Sequence, residues 1–400
     1  MGNAGTTPDV GSSALAAGVP EELDWGTLIH HIFRPEHHAV LLATDDEEVI
    51  SVSAQPRKVI TCLRGTADGP LQGNFHDNML DGRVGLMCQK GKKDAPNQDS
   101  CFVLEFTDGD GARVCLTAVM DGHGPLGHRM SRLAIQWLPL LVLRNPLMAI
   151  EAGLTVPIDP QAVFDAVTSA LDKVGAILER ASDENLQTRL SGTTCVFALS
   201  ARGLLHCANV GDSRAVMATV AKPVSTSASL PEEVPPEATH DGEGEPNVLK
   251  GEVPTMDVRT LTRDHKPEDV TERARVEAAG GLVDRQRVWM TTWPFLGLNM
   301  SRSLGDSLAH TVGVSSVPDV TGTFLDATAS QLLILGSDGV WDFVSSDVAA
   351  EIVAGDLQGE STAALPTAQH AATKLVAASQ EAWLKVSRDL DDITVVVIRM

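Results

Sequence analysis

Four times along this chain an aspartate stands at the end of an apolar, β-favouring run. That recurrence constrains the fold more than any other feature. Asn97-Gln98-Asp99 comes just before Cys101-Phe102-Val103, and Met120-Asp121-Gly122-His123-Gly124 follows the run from Cys115 to Val119. Ser337-Asp338-Gly339 follows Leu332 to Gly336, and Asp391-Asp392 precedes Ile393 to Val397. A carboxylate at a strand end is held by rigid backbone yet can face a cleft; several of them converging make an oxygen-rich site suited to Mg²⁺ or Mn²⁺. Any one motif alone reads as a turn, as Asp108-Gly109-Asp110-Gly111 does, because Asp-Gly is a common hairpin dipeptide. Taken together the balance shifts, since gathered carboxylates repel and need a cation to neutralise them. Glycine beside an aspartate lets the backbone approach an ion and can offer its carbonyl. His123 is placed to donate a proton to a departing alkoxide. Taken by itself it reads equally well as a loop histidine bonded to backbone.

The surrounding pattern is that of an α+β domain. Val84 to Gln89, Cys101 to Thr107 and Arg113 to Met120 read as strands, Leu126 to Leu143 as a helix, and Thr193 to Leu199 with Gly203 to Val210 as a hairpin. From Asp159 to Leu186, apolar residues recur at three- and four-residue steps, which predicts a long helix. Gln331 to Leu335 and Ile393 to Arg399 are late strands, and Pro267 to Ala279 a helix closed by Gly280-Gly281. Residues 1–80 lack a clean period and read as an N-terminal extension, partly disordered, with the domain running from 81 to 400. The His30, His31, His37 and His38 patch matches no metal-ligand spacing. Residues 219–258 are acidic and proline-interspersed, and read as a mobile insertion.

A net charge of −22 excludes the basic footprint that nucleic acid requires, but not phosphorylated substrates, because a metal centre can supply positive charge. The six cysteines form no CxxC pair and most lie in strand-like runs, so reduced thiols in a cytoplasmic protein are expected, the nucleus remaining open. The first Lys or Arg is Arg34, so the charged start of a secretory signal is missing. Met1-Gly2-Asn3-Ala4-Gly5-Thr6 fits N-myristoylation at Gly2, which alone would give weak, peripheral membrane association. A disordered tail that happens to begin Met-Gly is the competing reading.

From Gly85 to Arg399 the chain resembles the metal-dependent serine/threonine protein phosphatases of the 2C type, the PPM family. Val119-Met120-Asp121-Gly122-His123-Gly124 resembles the family's V-x-D-G-H-G, Ser191-Gly192-Thr193-Thr194 its S-G-[ST]-T, and Asn209-Val210-Gly211-Asp212-Ser213-Arg214 its N-x-G-D-S-R. Leu261 to Pro267 is similar to L-T-x-D-H-K-P, Asn299 to Asp306 to x-x-S-R-[AS]-x-G-D, and Ser337 to Asp342 to S-D-G-x-W-D. Asp391-Asp392-Ile393-Thr394-Val395 stands where the family has D-N-[IM]-[ST]-V.

The resemblance implies a sandwich of two antiparallel sheets flanked by helices, with two Mg²⁺ or Mn²⁺ ions at one end. It implies that Asp121 bridges the ions, that the Gly122 carbonyl, Asp338 and Asp391 complete their shell, and that Asp99 binds directly or through water. A water between the ions would attack phosphorus, with His123 as general acid, on phosphoprotein substrates; the chain is expected to act as a monomer. Departures stand beside the matches. Gln98 replaces an acidic residue before the first aspartate. Lys92 or Lys93 lies near where many members have a phosphate-gripping arginine, without that residue's bidentate fork. Arg189 stands about where some members place an aspartate for a third ion, although its companion Asp342 is present. Asp392 replaces the usual Asn. Asp212 and Arg214 read as ties for a turn, and Trp289 and Trp293 as lining of a neighbouring flap.

Two other classes remain open. A catalytically weak binding module would be expected to have lost Asp121, Asp338 or Asp391, and all three are here. A metal-dependent hydrolase of small phosphoesters would be separated by turnover of nucleotides against phosphopeptides.

Overall fold

The computed structural model describes residues 50–54, 58–64, 82–93, 95–107, 112–143, 145, 159–182, 185–220, 256–290, 293–358 and 367–400. Its strands are β1 (Ile50–Ala54), β2 (Lys58–Arg64), β3 (Val84–Gln89), β4 (Asp99–Thr107), β5 (Arg113–His123), β6 (Gly192–Thr193), β7 (Cys195–Ala201), β8 (Leu204–Val210) and β9 (Arg214–Val220). They continue with β10 (Met256–Thr260), β11 (Leu282–Asp284), β12 (Arg287–Met290), β13 (Trp293–Leu298), β14 (Leu304–Gly305), β15 (Asp319–Phe324), β16 (Ser330–Gly336) and β17 (Ile393–Arg399). The helices are α1 (Gly127–Leu143), α2 (Pro160–Ser182), α3 (Leu186–Arg189), α4 (Val270–Ala278), α5 (Ser307–His310), α6 (Asp338–Trp341), α7 (Ser346–Gln358) and α8 (Ala368–Val386).

One sheet runs β1-β2-β4-β5-β7-β8-β15, with β6 beside β5 and β14 beside β6; a second runs β10-β9-β16-β17-β3, and β11-β12-β13 form a small third. Neighbouring strands are antiparallel throughout. Period-2 alternation explains how the two large sheets stack. On β5, Leu116, Ala118 and Met120 face α1 and α2, while Cys115 and Val119 face the opposite sheet. On β17, Ile393, Val395 and Val397 face α7 and α8, while Val396 and Ile398 face inward. Both faces are covered, which is why these strands read as near-continuous apolar runs. The expected α+β sandwich of two antiparallel sheets flanked by helices is what the chain forms.

Three boundaries differ from the sequence reading. The N-terminal extension expected over 1–80 contains β1 and β2, and β2 pairs with β4 from Val59 opposite Glu105 to Arg64 opposite Ser100. Strands of five and seven residues carry too few alternations to stand out from an aperiodic segment. The acidic insertion is narrower than 219–258: Thr219 and Val220 close β9, and Met256 to Val258 open β10 opposite them. Residues 221–255 lie outside the described residues, as do Gly2, the histidine patch and Asp108 to Gly111. The long helix stops at Ser182, and α3 follows separately, capped by Asn185 on the backbone of Gln187 and Thr188. No helix among the described residues is long and apolar enough to cross a membrane.

Candidate active site

Antiparallel pairing brings the acidic motifs to one end of the sandwich. Asp99 opens β4 directly opposite Asp121 near the end of β5. On the facing sheet, β16 ends where β17 begins, so Ser337-Asp338 and Asp391-Asp392 share that edge. Ser337 ties the sheets together: its Oγ donates to Asp99 Oδ2 at 2.8 Å and accepts the Thr394 N–H at 3.0 Å.

Close backbone approach is built into Gly122. A Cβ there would lie 2.4 Å from the Gly127 carbonyl oxygen and 2.5 Å from that of Gln98, so no larger residue fits. Its N–H donates to the Gln98 carbonyl at 3.1 Å. The Gln98 side chain donates to the Gly124 carbonyl at 2.7 Å, bracing the loop after β5. Asp392 is buried and accepts the backbone N–H groups of Gly91 at 2.7 Å and Gln98 at 2.8 Å, pinning the loop that carries Lys93.

The electrostatics record strong crowding. Burial, then the charge of Asp392, pushes Asp99 up to about 7, although hydrogen bonds from Thr394 and Ser337 oppose it. Burial of the carboxyl, then Asp338, Asp99 and Asp391, pushes Asp121 far above the usual carboxylate range. Burial, then Asp212, Asp391 and Asp342, does the same to Asp338. Asp121 and Asp338 act on each other, the Asp338 charge opposing ionisation of Asp121. Among the described residues no three His, Cys, Asp or Glu side chains are already drawn around one point as ion ligands. Two observations nevertheless fit a hard cation: every donor is oxygen, and the buried Asp99 Oδ1 and Asp212 Oδ1 have no hydrogen-bond partner.

Residues 89–233 and 247–383 match two profiles that both describe protein phosphatase 2C. The chain is 30% identical over 314 residues to "Probable protein phosphatase 2C 61" of Arabidopsis thaliana, covering 76% of this chain and 80% of that one. It is 31% identical over 320 residues to "Probable protein phosphatase 2C 48" of Oryza sativa subsp. japonica, covering 76% and 79%. The chain belongs to the protein phosphatase 2C family. It is a serine/threonine protein phosphatase. The fold agrees: a serine-threonine phosphatase 2C from Toxoplasma gondii superposes with a TM-score of 0.61 at 18% identity, over 88% of this chain and 99% of that one.

Around the acidic centre of this phosphatase lie residues that the sequence placed elsewhere or left without partners. Asp212, read as a turn tie, is fully buried, and its charge acts on Asp338. Lys266 Nζ donates to Asp212 Oδ2 at 2.6 Å. Burial opposes the Lys266 charge, but Asp212 outweighs it and raises the ammonium above its ordinary value. Asp212 comes from the turn before β9 and sets a further negative charge beside Asp338 and Asp342. The D-S-R spacing carried the signal, since that turn precedes a strand lying next to β16. Arg214 does tie its turn as expected, with a fork onto Asp264 at 2.9 and 2.6 Å and its guanidinium 5.2 Å from the Trp341 ring.

Of the two lysines, Lys93 reaches the site, where its Nζ pairs with Asp391 Oδ1. Lys92 is anchored through its backbone N–H to the Leu390 carbonyl, and its side chain is exposed. Asn299, previously only part of a motif, donates to Asp338 Oδ2 at 3.4 Å. Trp289 packs over Gly297 and donates to the Asp284 carbonyl inside the small sheet. The side chain of Trp293 lies outside the described residues.

Proposed function

We propose that this phosphatase hydrolyses phosphoserine and phosphothreonine in proteins with two divalent ions, Mg²⁺ or Mn²⁺. Asp99, Asp121, Asp338, Asp391 and the Gly122 carbonyl are the groups that would hold them. The observation that carries the reading is the convergence of these acids from opposed strand ends, with the carboxyls of Asp99, Asp121 and Asp338 forced upward by burial and by neighbouring charges. Bound there, the ions supply a water of lowered pKa and offset the charge of the phosphate oxygens. Asp212 with Asp342 could hold a further ion beside Asp338.

The chain's own groups do the rest. Lys93 sets a cation beside Asp391 at the rim, where a substrate phosphate would enter. His123 protonates the departing seryl or threonyl oxygen. Its Nε2 is taken by Asp306 at 2.5 Å, while its buried Nδ1 has no partner, so Nδ1 is the atom left to carry that proton. No cysteine serves as nucleophile, in keeping with the burial of Cys88, Cys101, Cys115, Cys195 and Cys207.

The test is phosphopeptide hydrolysis with and without Mn²⁺. Activity should need the metal, vanish in EDTA and resist cysteine alkylation. Undiminished turnover in Asp121→Ala or Asp338→Ala would overturn the metal reading. Preferential turnover of nucleotides over phosphopeptides would redirect it to small phosphoesters.

A further inference from the structure

At the other end of the sandwich, the two large sheets part around a cavity of about 140 Å³ lined by Arg83, Arg113, Arg202 and Arg399. The strands that begin or end at the acidic site also run to this cavity. β4 goes from Asp99 to Glu105, and β17 follows Asp391 and ends at Arg399. At about 3.3 Å per residue the two sites are roughly 20–25 Å apart.

The charge here is reversed relative to the rest of the molecule. The chain carries −22 overall, yet among the described residues lining the cavity Glu105 is the one carboxylate side chain, against four guanidinium groups. Glu105 is already engaged: Arg83 Nη2 donates to Oε1 at 2.8 Å and Oε2 at 2.9 Å, and Arg113 Nε lies 3.6 Å from Oε1. That fork leaves the Arg83 Nε buried and without an acceptor. A buried N–H of a charged group with no acceptor is costly unless a ligand oxygen completes it. Arg202 stands in the two-residue turn between β7 and β8, where both it and Gly203 take the left-handed conformation usual for such a hairpin.

We propose that this cavity is a binding site for a phosphate group, either free orthophosphate or a small phosphomonoester, separate from the catalytic carboxylates. Guanidinium groups from four separate chain segments suit a tetrahedral dianion, which accepts donors from several directions at once. The volume far exceeds what one water needs, leaving room for the anion and a small substituent. The inference stands on the arginine cavity alone and does not depend on the catalytic reading.

The test titrates orthophosphate into the full-length chain kept in EDTA, following the arginine Nε–Hε resonances. Saturable shifts at Arg83 and Arg399 are expected, together with a loss of affinity of at least about tenfold in an Arg113→Ala/Arg399→Gln double variant. Phosphopeptide kcat/KM measured separately with Mn²⁺ should be unchanged in that variant. Phenylphosphonate binding as well would support a phosphomonoester, and orthophosphate binding alone a free ion. Absence of saturable shifts at Arg83 and Arg399 in the unmutated chain would overturn the proposal. So would binding that survives the double variant and is lost in Lys93→Ala, because the anion would then sit among the catalytic aspartates.

Discussion

The Oδ2 atom of Asp306 lies 2.5 Å from Nε2 of His123, although the two residues are 183 positions apart. Asp306 is fully buried at φ 43° and also accepts the Ser303 hydroxyl at 2.6 Å. Room for it exists because residue 192 is glycine: a Cβ there would lie 2.1 Å from Asp306 Oδ2. Burial alone would lower the His123 pKa, but the Asp306 charge and hydrogen bond outweigh it and raise it.

Asp306→Asn should therefore impair the proton donor without touching the acids. Removing the negative charge destabilises the imidazolium, so its pKa falls and the acid form is lost at lower pH. The alkaline limb of kcat for a phosphopeptide should move downward. Because general acid catalysis contributes roughly 10²–10⁴-fold, a positioning partner should account for about ten- to hundredfold of it. An activated aryl phosphate, which needs little protonation of its leaving group, should lose far less. Equal losses on both substrates would remove the role of this pair.

Asp338→Asn separates catalysis from stability. Phosphopeptide turnover should fall by more than about a hundredfold, since even outer partners of metal ligands commonly cost 10–100-fold. In EDTA the same variant should melt at a higher temperature than the unmutated chain, because one carboxyl is removed from a cluster in which Asp212, Asp391 and Asp342 repel it. A lower melting temperature in EDTA would show that Asp338 is held by packing rather than set against its neighbours.

The metal-free protein should also lose stability as pH rises. Asp99 has its ordinary value at 3.8 when exposed and about 7 when folded. Between those values the folded chain binds the proton more tightly than the unfolded one, so this contribution is fully present below 3.8 and is lost as pH climbs through 7. Asp121 and Asp338 are raised in the same direction. Melting in EDTA at pH 5.5 and 7.5 should show the lower temperature at 7.5. Saturating Mn²⁺ should narrow or reverse that difference. A flat profile in EDTA would mean that these acids are not buried together.

Much of this was legible in the sequence because strand-end aspartates obey simple rules. Asp99, Asp121, Asp338 and Asp391 each flank an apolar run, and antiparallel pairing leaves such ends little choice but to meet. Asp212 does tie its turn, through Lys266, but its place beside Asp338 was not legible because its motif looks like any turn and only the pairing of β9 with β16 brings the two together. The contact of Asp306 with His123 depends on two left-handed residues, Gly305 and Asp306, and on the space above Gly192, none of which has a periodic signature. β2 escaped notice because β4, the strand that joins it to the sheet, lies far along the chain, and β1 is attached only through β2.

The loop bearing Asp306 hangs from a buried ion cluster, and breaking that cluster should unfold more than it inactivates. Glu272 on α4 is 1% exposed and receives Arg302 through Nε and Nη2, the latter at 2.7 Å, Arg275 Nη2 at 2.7 Å and the Ser301 hydroxyl at 2.7 Å. Burial opposes its charge, but hydrogen bonds from Arg302, Arg275 and Ser301 outweigh that and hold the carboxylate far below its ordinary range. Glu272→Ala would strand Arg302, which is only 9% exposed and retains Asp319 at 2.9 Å and the Val317 carbonyl at 2.8 Å. Removing one partner of a buried pair costs about 3–5 kcal/mol, and chemical denaturation of the metal-loaded protein should show a loss in that range. Glu272→Gln keeps an acceptor and the shape, and should lose less. The kcat of whatever Glu272→Gln fraction remains folded should stay close to normal, since Glu272 contacts Ser301 and Arg302 rather than the carboxylates. A near-neutral Glu272→Ala would mean that these arginines find other partners and that α4 is not what anchors the loop.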